Sequence, residues 1–107
     1  MAVWLLLIFK LMKILLNKFG TTLTSRQLGN EAYKALLPTL KDLGATENLE
    51  IDFAGVNTFS PSWGDEFLTP LMNSYNHIKV FNTGNLSVHN TLKMLERINQ
   101  YKFQIED

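Results

Sequence analysis

Residues 49–67 read LEIDFAGVNTFSPSWGDEF, and the change of period inside this stretch decides the fold. Apolar side chains alternate at Leu49, Ile51 and Phe53, the period-2 signature of a half-buried strand over Leu49–Ala54. Gly55-Val56 turns the chain, and from Ser62 onward Phe67, Leu68, Leu71, Met72 and Tyr75 recur at helical spacing. Ser62-Trp63-Gly64-Asp65 is the S-x-x-D variant of a helix-start signature, so the spacing predicts a helix capped by Ser62, whose oxygen accepts from an amide two or three residues on. Asp65 and Glu66 fall in the first turn, favourable at the positive end of the helix dipole. Pro70 predicts a kink.

The same alternation of elements extends in both directions. Upstream, Met12–Gly20 reads as a short strand closed by glycine. Leu28, Ala32, Leu36, Leu40 and Leu43 then define a helix with Thr24 or Ser25 as its cap and Gly44 as its stop, and Pro38 predicts a kink or an early end. Downstream, His77–Asn82 alternates as a third strand, and Thr83-Gly84-Asn85 is a turn. Asn85 or Ser87 caps a helix carrying Val88, Leu92, Leu95 and Ile98, and Tyr101–Ile105 reads as a short terminal strand. Strands alternating with helices predict a two-layer α/β domain: a parallel or mixed, mostly parallel sheet with helices packed mainly on one face.

At 107 residues the chain is one domain, able to bury roughly 60 to 70% of the surface its unfolded form exposes. Ten basic residues, only two of them arginines, balance ten acids. That balance argues against a nucleic-acid binder, which needs a clustered basic surface. With no cysteine, disulfides and thiolate chemistry are excluded, which fits a cytoplasmic location.

Residues 1–11 form an apolar N-terminal extension, and 12–107 the domain proper. The uninterrupted apolar run stops at Phe9, short of the roughly 20 residues of a membrane span. Lys10 and Lys13 follow that run rather than precede it, unlike the charge of a secretory signal. The extension is read either as an over-extended start or as an apolar element needing a protein surface to cover it, with membrane attachment as a third reading.

Ligands and partners of such sheets meet the loops at the carboxyl ends of the strands, where residues 57–67 are expected. Ser62 is then a hydroxyl within reach of a partner and a candidate phosphoacceptor. The helix end favours a phosphate there, while Asp65 and Glu66, three and four residues on, repel it. Trp63 is either an exposed anchor or a side chain buried against the sheet.

The stretch Leu49–Leu71 resembles the STAS domain, named for sulfate transporters and anti-sigma factor antagonists, and is closer to the small STAS-like family of unassigned function. The motifs expected of the latter are L-x-S-R, matched by Leu23-Thr24-Ser25-Arg26; D-F-x-G-V, matched by Asp52-Phe53-Ala54-Gly55-Val56; and an S-F-x-D-E-L type run, matched by Ser62–Phe67. The resemblance spans most of residues 12 to 100. It implies a regulatory, non-enzymatic interaction module with no cofactor. In anti-sigma factor antagonists, a serine in D-S-S-G is phosphorylated by a partner kinase of the histidine-kinase-like ATPase type, which breaks the complex. That motif falls on Ser60-Pro61-Ser62-Trp63, so the resemblance makes Ser62 the phosphoacceptor, while Ser60, Pro61 and Trp63 differ from it. The implied partner is a protein, and Ser60, Trp63, Asp65 and Glu66 form the expected interaction surface with Arg26 and Asp52 in support.

An enzymatic alternative builds a small-ligand or metal-dependent site on Asp52, Asp65 and Glu66, since paired carboxylates share general acid–base work or hold magnesium. Adjacent helix positions point about 100 degrees apart, and neither His77 nor His89 has a metal-ligand partner at helical spacing. Asp52 is expected to bond a loop and Arg26 to pair with an acid such as Asp65.

Overall fold

The computed structural model describes residues 12–43 and 48–106; the 1–11 extension, the Gly44 stop and the side chain of Leu43 lie outside them. Strand β1 (Met12–Leu15) leads through one turn of 3-10 helix (Leu16–Phe19) and strand β2 (Thr22–Leu23) into helix α1 (Arg26–Leu43). Strands β3 (Asn48–Asp52) and β4 (Thr58–Phe59) precede helix α2 (Pro61–Ser74). Strand β5 (His77–Phe81), helix α3 (Leu86–Asn99) and strand β6 (Gln104–Glu106) complete the fold.

The main sheet runs β1-β3-β5-β6, and every recorded strand pairing is parallel. Strand order advances in one direction with one helix at each crossover. Right-handed crossovers therefore stack α1, α2 and α3 on a single face, making two layers. Register explains the alternation seen in the sequence. Ile14, Ile51 and Val80 stand side by side and are buried beneath the helices, whereas Lys13, Glu50 and Lys79, in the next row, point to the opposite face and are exposed or half-buried. A parallel sheet covered on both faces would instead have read as continuous apolar runs.

Several local expectations are revised. Met12–Gly20 is a strand for only four residues, because Leu16, fully buried, and Phe19 both turn inward through the 3-10 turn. Pro38 does not end its helix early, and α2 likewise continues through Pro70, where only a kink was expected. The apolar face continues on both sides of each ring, and burying it outweighs the one hydrogen bond a proline removes. Leu28 and Ile98, assigned to buried helix faces by spacing, are 58% and 67% exposed. Position 29, a glycine, makes the close approach on α1, and Thr91 joins Val88, Leu92 and Leu95 as the buried residues of α3. The terminal strand begins only at Gln104, since Tyr101 and Phe103 turn their rings onto the core edge.

The small β2–β4 sheet was not foreseen. Two-residue strands have no periodicity to read. Its geometry nevertheless fixes the loop before α2. One edge of β4 pairs with β2, and the other is satisfied by hydroxyls of α3: Ser87 Oγ accepts from the Phe59 N–H at 2.8 Å, while Ser87 and Thr91 donate to the Phe59 carbonyl. Backbone groups of a buried edge need such partners. That requirement explains why Thr91, a polar residue, is only 4% exposed.

Candidate functional site

The first turns of α1, α2 and α3 all lie at the carboxyl end of the sheet, because in a run of parallel βα units each helix starts where its strand ends. Four sets of hydrogen bonds hold this end together. Ser25 caps α1, accepting from the Leu28 N–H at 3.2 Å, as one of the two expected caps. Asn85 caps α3 through the Val88 N–H at 3.1 Å and donates to the Asn57 carbonyl at 3.0 Å, lashing the α2 loop to α3. Thr21 accepts from the N–H groups of Asn57 and Thr58. Asp52, as expected, bonds a loop: its Oδ1 accepts from the Ala54 N–H at 2.9 Å and from Asn82 Nδ2 at 2.7 Å, with Lys13 Nζ at 3.9 Å from Oδ2. Partial burial pushes the Asp52 pKa up, but the bonds from Asn82 and Ala54 and the charge of Lys13 outweigh it, holding the carboxyl below its ordinary value.

The helix cap is Ser60, not Ser62. Ser60 Oγ accepts from the Trp63 N–H at 3.3 Å and donates to the Thr24 carbonyl at 2.9 Å, and its own N–H donates to the Leu23 carbonyl at 2.9 Å. Pro61 occupies the first helical position, where its missing N–H is no loss. The Ser-Pro pair is the signal that locates the cap two residues earlier than the S-x-x-D reading. Ser62 becomes the second residue of α2, half-buried, with no hydrogen-bond partner among the described residues.

Trp63 is a core residue. It is 2% exposed and stacks on Phe67 with ring centroids 4.9 Å apart, edge-on to Phe59 at 6.0 Å. Its burial rules out use as an exposed anchor, whereas Ser60 is half-buried and bonded to the backbone of Leu23, Thr24, Trp63 and Gly64. Leu15, which ends β1, is exposed, and among the described residues the exposed large apolar side chains on the helix starts at this end are Leu28 on the first turn of α1 and Leu86, 72% exposed, at the first residue of α3. Pro61 is exposed on α2 between them. Sequence spacing assigned Leu28 to the core and gave Leu86 no role.

The expected Arg26–Asp65 pair is present and is larger than expected. Arg26 Nη1 lies 3.0 Å from Asp65 Oδ2 and 2.7 Å from Glu66 Oε2, joining the L-x-S-R segment to the D-E pair across the α1–α2 contact. Asp65 Oδ1 also accepts from Thr69 Oγ1 at 2.8 Å, and Glu66 Oε1 from Asn30 Nδ2 at 3.1 Å. Hydrogen bonds to Asp65 and Glu66 raise the Arg26 pKa above its already high value. In return the Arg26 bond, then the Thr69 bond, hold the Asp65 carboxyl below the usual carboxylate range.

Asp52 shares none of these partners. Its recorded contacts are with Lys13, Ala54 and Asn82, so the three carboxylates of the enzymatic alternative divide into two separate networks. Among the described residues no group of three or more His, Cys, Asp or Glu side chains is placed to hold a metal ion. No helix among them is long and apolar enough to cross a membrane. No protein-family model, curated protein or solved structure matches the chain.

Proposed function

We propose that the protein is a non-enzymatic regulatory module of the cytoplasm that binds another protein through the carboxyl end of its sheet and is switched by phosphorylation of Ser62. The observation that carries this reading is the hydroxyl of Ser62 at the start of α2, which has no hydrogen-bond partner among the described residues, beside Ser60, Asp65 and Glu66, whose side chains are bonded within the fold. Leu28 and Leu86, exposed on the helices either side of α2, supply apolar contact area around it. Arg26, Asp65 and Glu66 form a charged rim. An apolar centre with a polar rim is the general anatomy of a protein interface.

The partner that suits the STAS-like resemblance is a histidine-kinase-like ATPase. Ser62 Oγ attacks the γ-phosphorus of ATP held by that kinase, the bond from γ-phosphorus to the bridging oxygen breaks, and ADP leaves with the electron pair. The hydroxyl proton passes to a base on the kinase. The new dianion then sits on an interface built around an uncharged hydroxyl, and desolvating it opposes rebinding.

The test pairs binding with modification. With a purified kinase of this class, Leu28→Asp and Leu86→Asp are expected to weaken the complex by about tenfold or more while leaving the unfolding midpoint in place. ATP is expected to add one phosphate, located at residue 62 by mass spectrometry and absent from Ser62→Ala. Phosphate that persists in Ser62→Ala, or binding indifferent to both leucines, would refute the reading.

A further inference from the structure

Ser62, Asp65 and Glu66 stand at positions i, i+3 and i+4 of α2, so the three share one face, with neighbouring Cβ atoms about 5 to 6 Å apart. Arg26, the first residue of α1, reaches that face from the adjacent helix. Its recorded bonds use Nη1 alone, leaving Nη2 and Nε unengaged among the described residues. Each carboxylate meanwhile keeps a second donor on its other oxygen, Thr69 for Asp65 and Asn30 for Glu66. Arg26 can therefore leave either acid without stripping it of partners. Its side chain is 54% exposed, free enough to turn.

We propose that Arg26 is the positioning residue that reads the phosphorylated state of Ser62, exchanging its bonds to Asp65 and Glu66 for a forked pair of bonds to the phosphoryl group. The inference rests on the Ser62 reading above and adds the device that answers the modification. A dianionic phosphate at residue 62 would stand beside two carboxylates on one helix face, an arrangement that like-charge repulsion opposes. Arg26 is the cation that contacts both of those carboxylates. The planar guanidinium matches phosphate bidentately, and a doubly charged acceptor competes well against a single carboxylate. The tie between α1 and α2 thus moves toward residue 62, and its α1 end, Arg26, lies two residues before Leu28 of the docking surface.

The experiment needs no kinase. Phosphoserine is incorporated at position 62 during synthesis of the full chain, and its second ionisation is followed by phosphorus NMR against pH, with Arg26 intact and with Arg26→Gln. The expected result is a second pKa lower by about half a unit or more when Arg26 is present, since a nearby cation favours the dianion. The same difference, or a larger one, is expected in the Asp65→Asn/Glu66→Gln background, where the guanidinium has no competing carboxylate. A purely structural Arg26 would leave the titration unmoved. Equal pKa values with and without Arg26, in chains whose amide spectra are alike, would overturn the proposal. That outcome is distinct from a failure of the functional reading, because a Ser62 that no kinase modifies leaves this titration unchanged.

Discussion

Gly29 of α1 lies against the Trp63 carbonyl of α2 so closely that a Cβ at position 29 would sit 2.6 Å from the oxygen and 3.0 Å from the Trp63 Cα. Backbone meets backbone here. This crossing sets how near the two helices approach, and it places Arg26, three residues earlier, beside Asp65 and Glu66.

Gly29→Ala consequently carries two opposed effects. Alanine in a helix interior gains about 1 kcal/mol in propensity, but the clash is with main-chain atoms that move only if the helices part, costing about 1 to 3 kcal/mol or more. We expect net destabilisation in urea titration. At Gly64 the added Cβ would meet the Phe59 ring at 3.0 Å, Leu95 Cδ1 at 3.1 Å and Thr91 Cγ2 at 3.3 Å. These are side-chain atoms, so Gly64→Ala is expected to cost less than Gly29→Ala, and the reverse order would show that the crossing is not the tight point.

Ser60→Ala removes the α2 cap and the bond to the Thr24 carbonyl, an expected loss of about 1 kcal/mol. Ser62→Ala removes no recorded bond and should stay within about 0.5 kcal/mol of the parent. Thermal and urea unfolding of the two variants side by side would reverse the cap assignment if the costs were interchanged.

Trp63→Ala is expected to cost about 3 to 5 kcal/mol, the scale for truncating a large aromatic in a packed core, because the ring contacts Phe19, Phe59 and Phe67. Leu86→Ala, at a side chain 72% exposed, should change stability by no more than about 0.5 kcal/mol. A mild Trp63→Ala phenotype in calorimetry would return Trp63 to the surface reading.

Acid should weaken the Asp65 contribution. Its folded pKa is depressed by Arg26 and Thr69, so it stabilises the fold fully above the unfolded carboxylate value of about 4, and that stabilisation is lost as pH falls through the depressed folded value. The stability gap between the parent and Asp65→Asn is therefore expected to be constant from neutral pH down to about 5 and to narrow below about 4. Urea midpoints at pH 7 and pH 3 check this, and a gap that stays constant would contradict the ion-pair origin.

How much of this was legible follows from what each signal encodes. Leu49, Ile51 and Phe53 announced a strand with one covered face, and burial of Leu49 and Ile51 in the helix-facing rows follows that pattern. Caps at Ser25 and Asn85 were readable because a cap depends on neighbours two or three residues away. The misplaced cap was also a local matter: Pro61 marks the first helical position and makes Ser60 its cap. Leu28 and Leu86 could not be assigned this way, since helical spacing gives a face but not whether a neighbouring element covers the helix end.

By itself the sequence determined the helices, the strands of the main sheet and their order, because hydrophobic period, caps and turn residues act over a few bonds. It also determined that Arg26 would seek an acid. Only the tertiary structure decided that one guanidinium nitrogen serves both Asp65 and Glu66, that Trp63 is core, and that Ser60 is bonded into the fold while Ser62 has no partner among the described residues. Each of these depends on residues about forty positions apart meeting at a helix crossing, and the distance across a crossing is set by packing, through the missing side chain of Gly29, rather than by local preference.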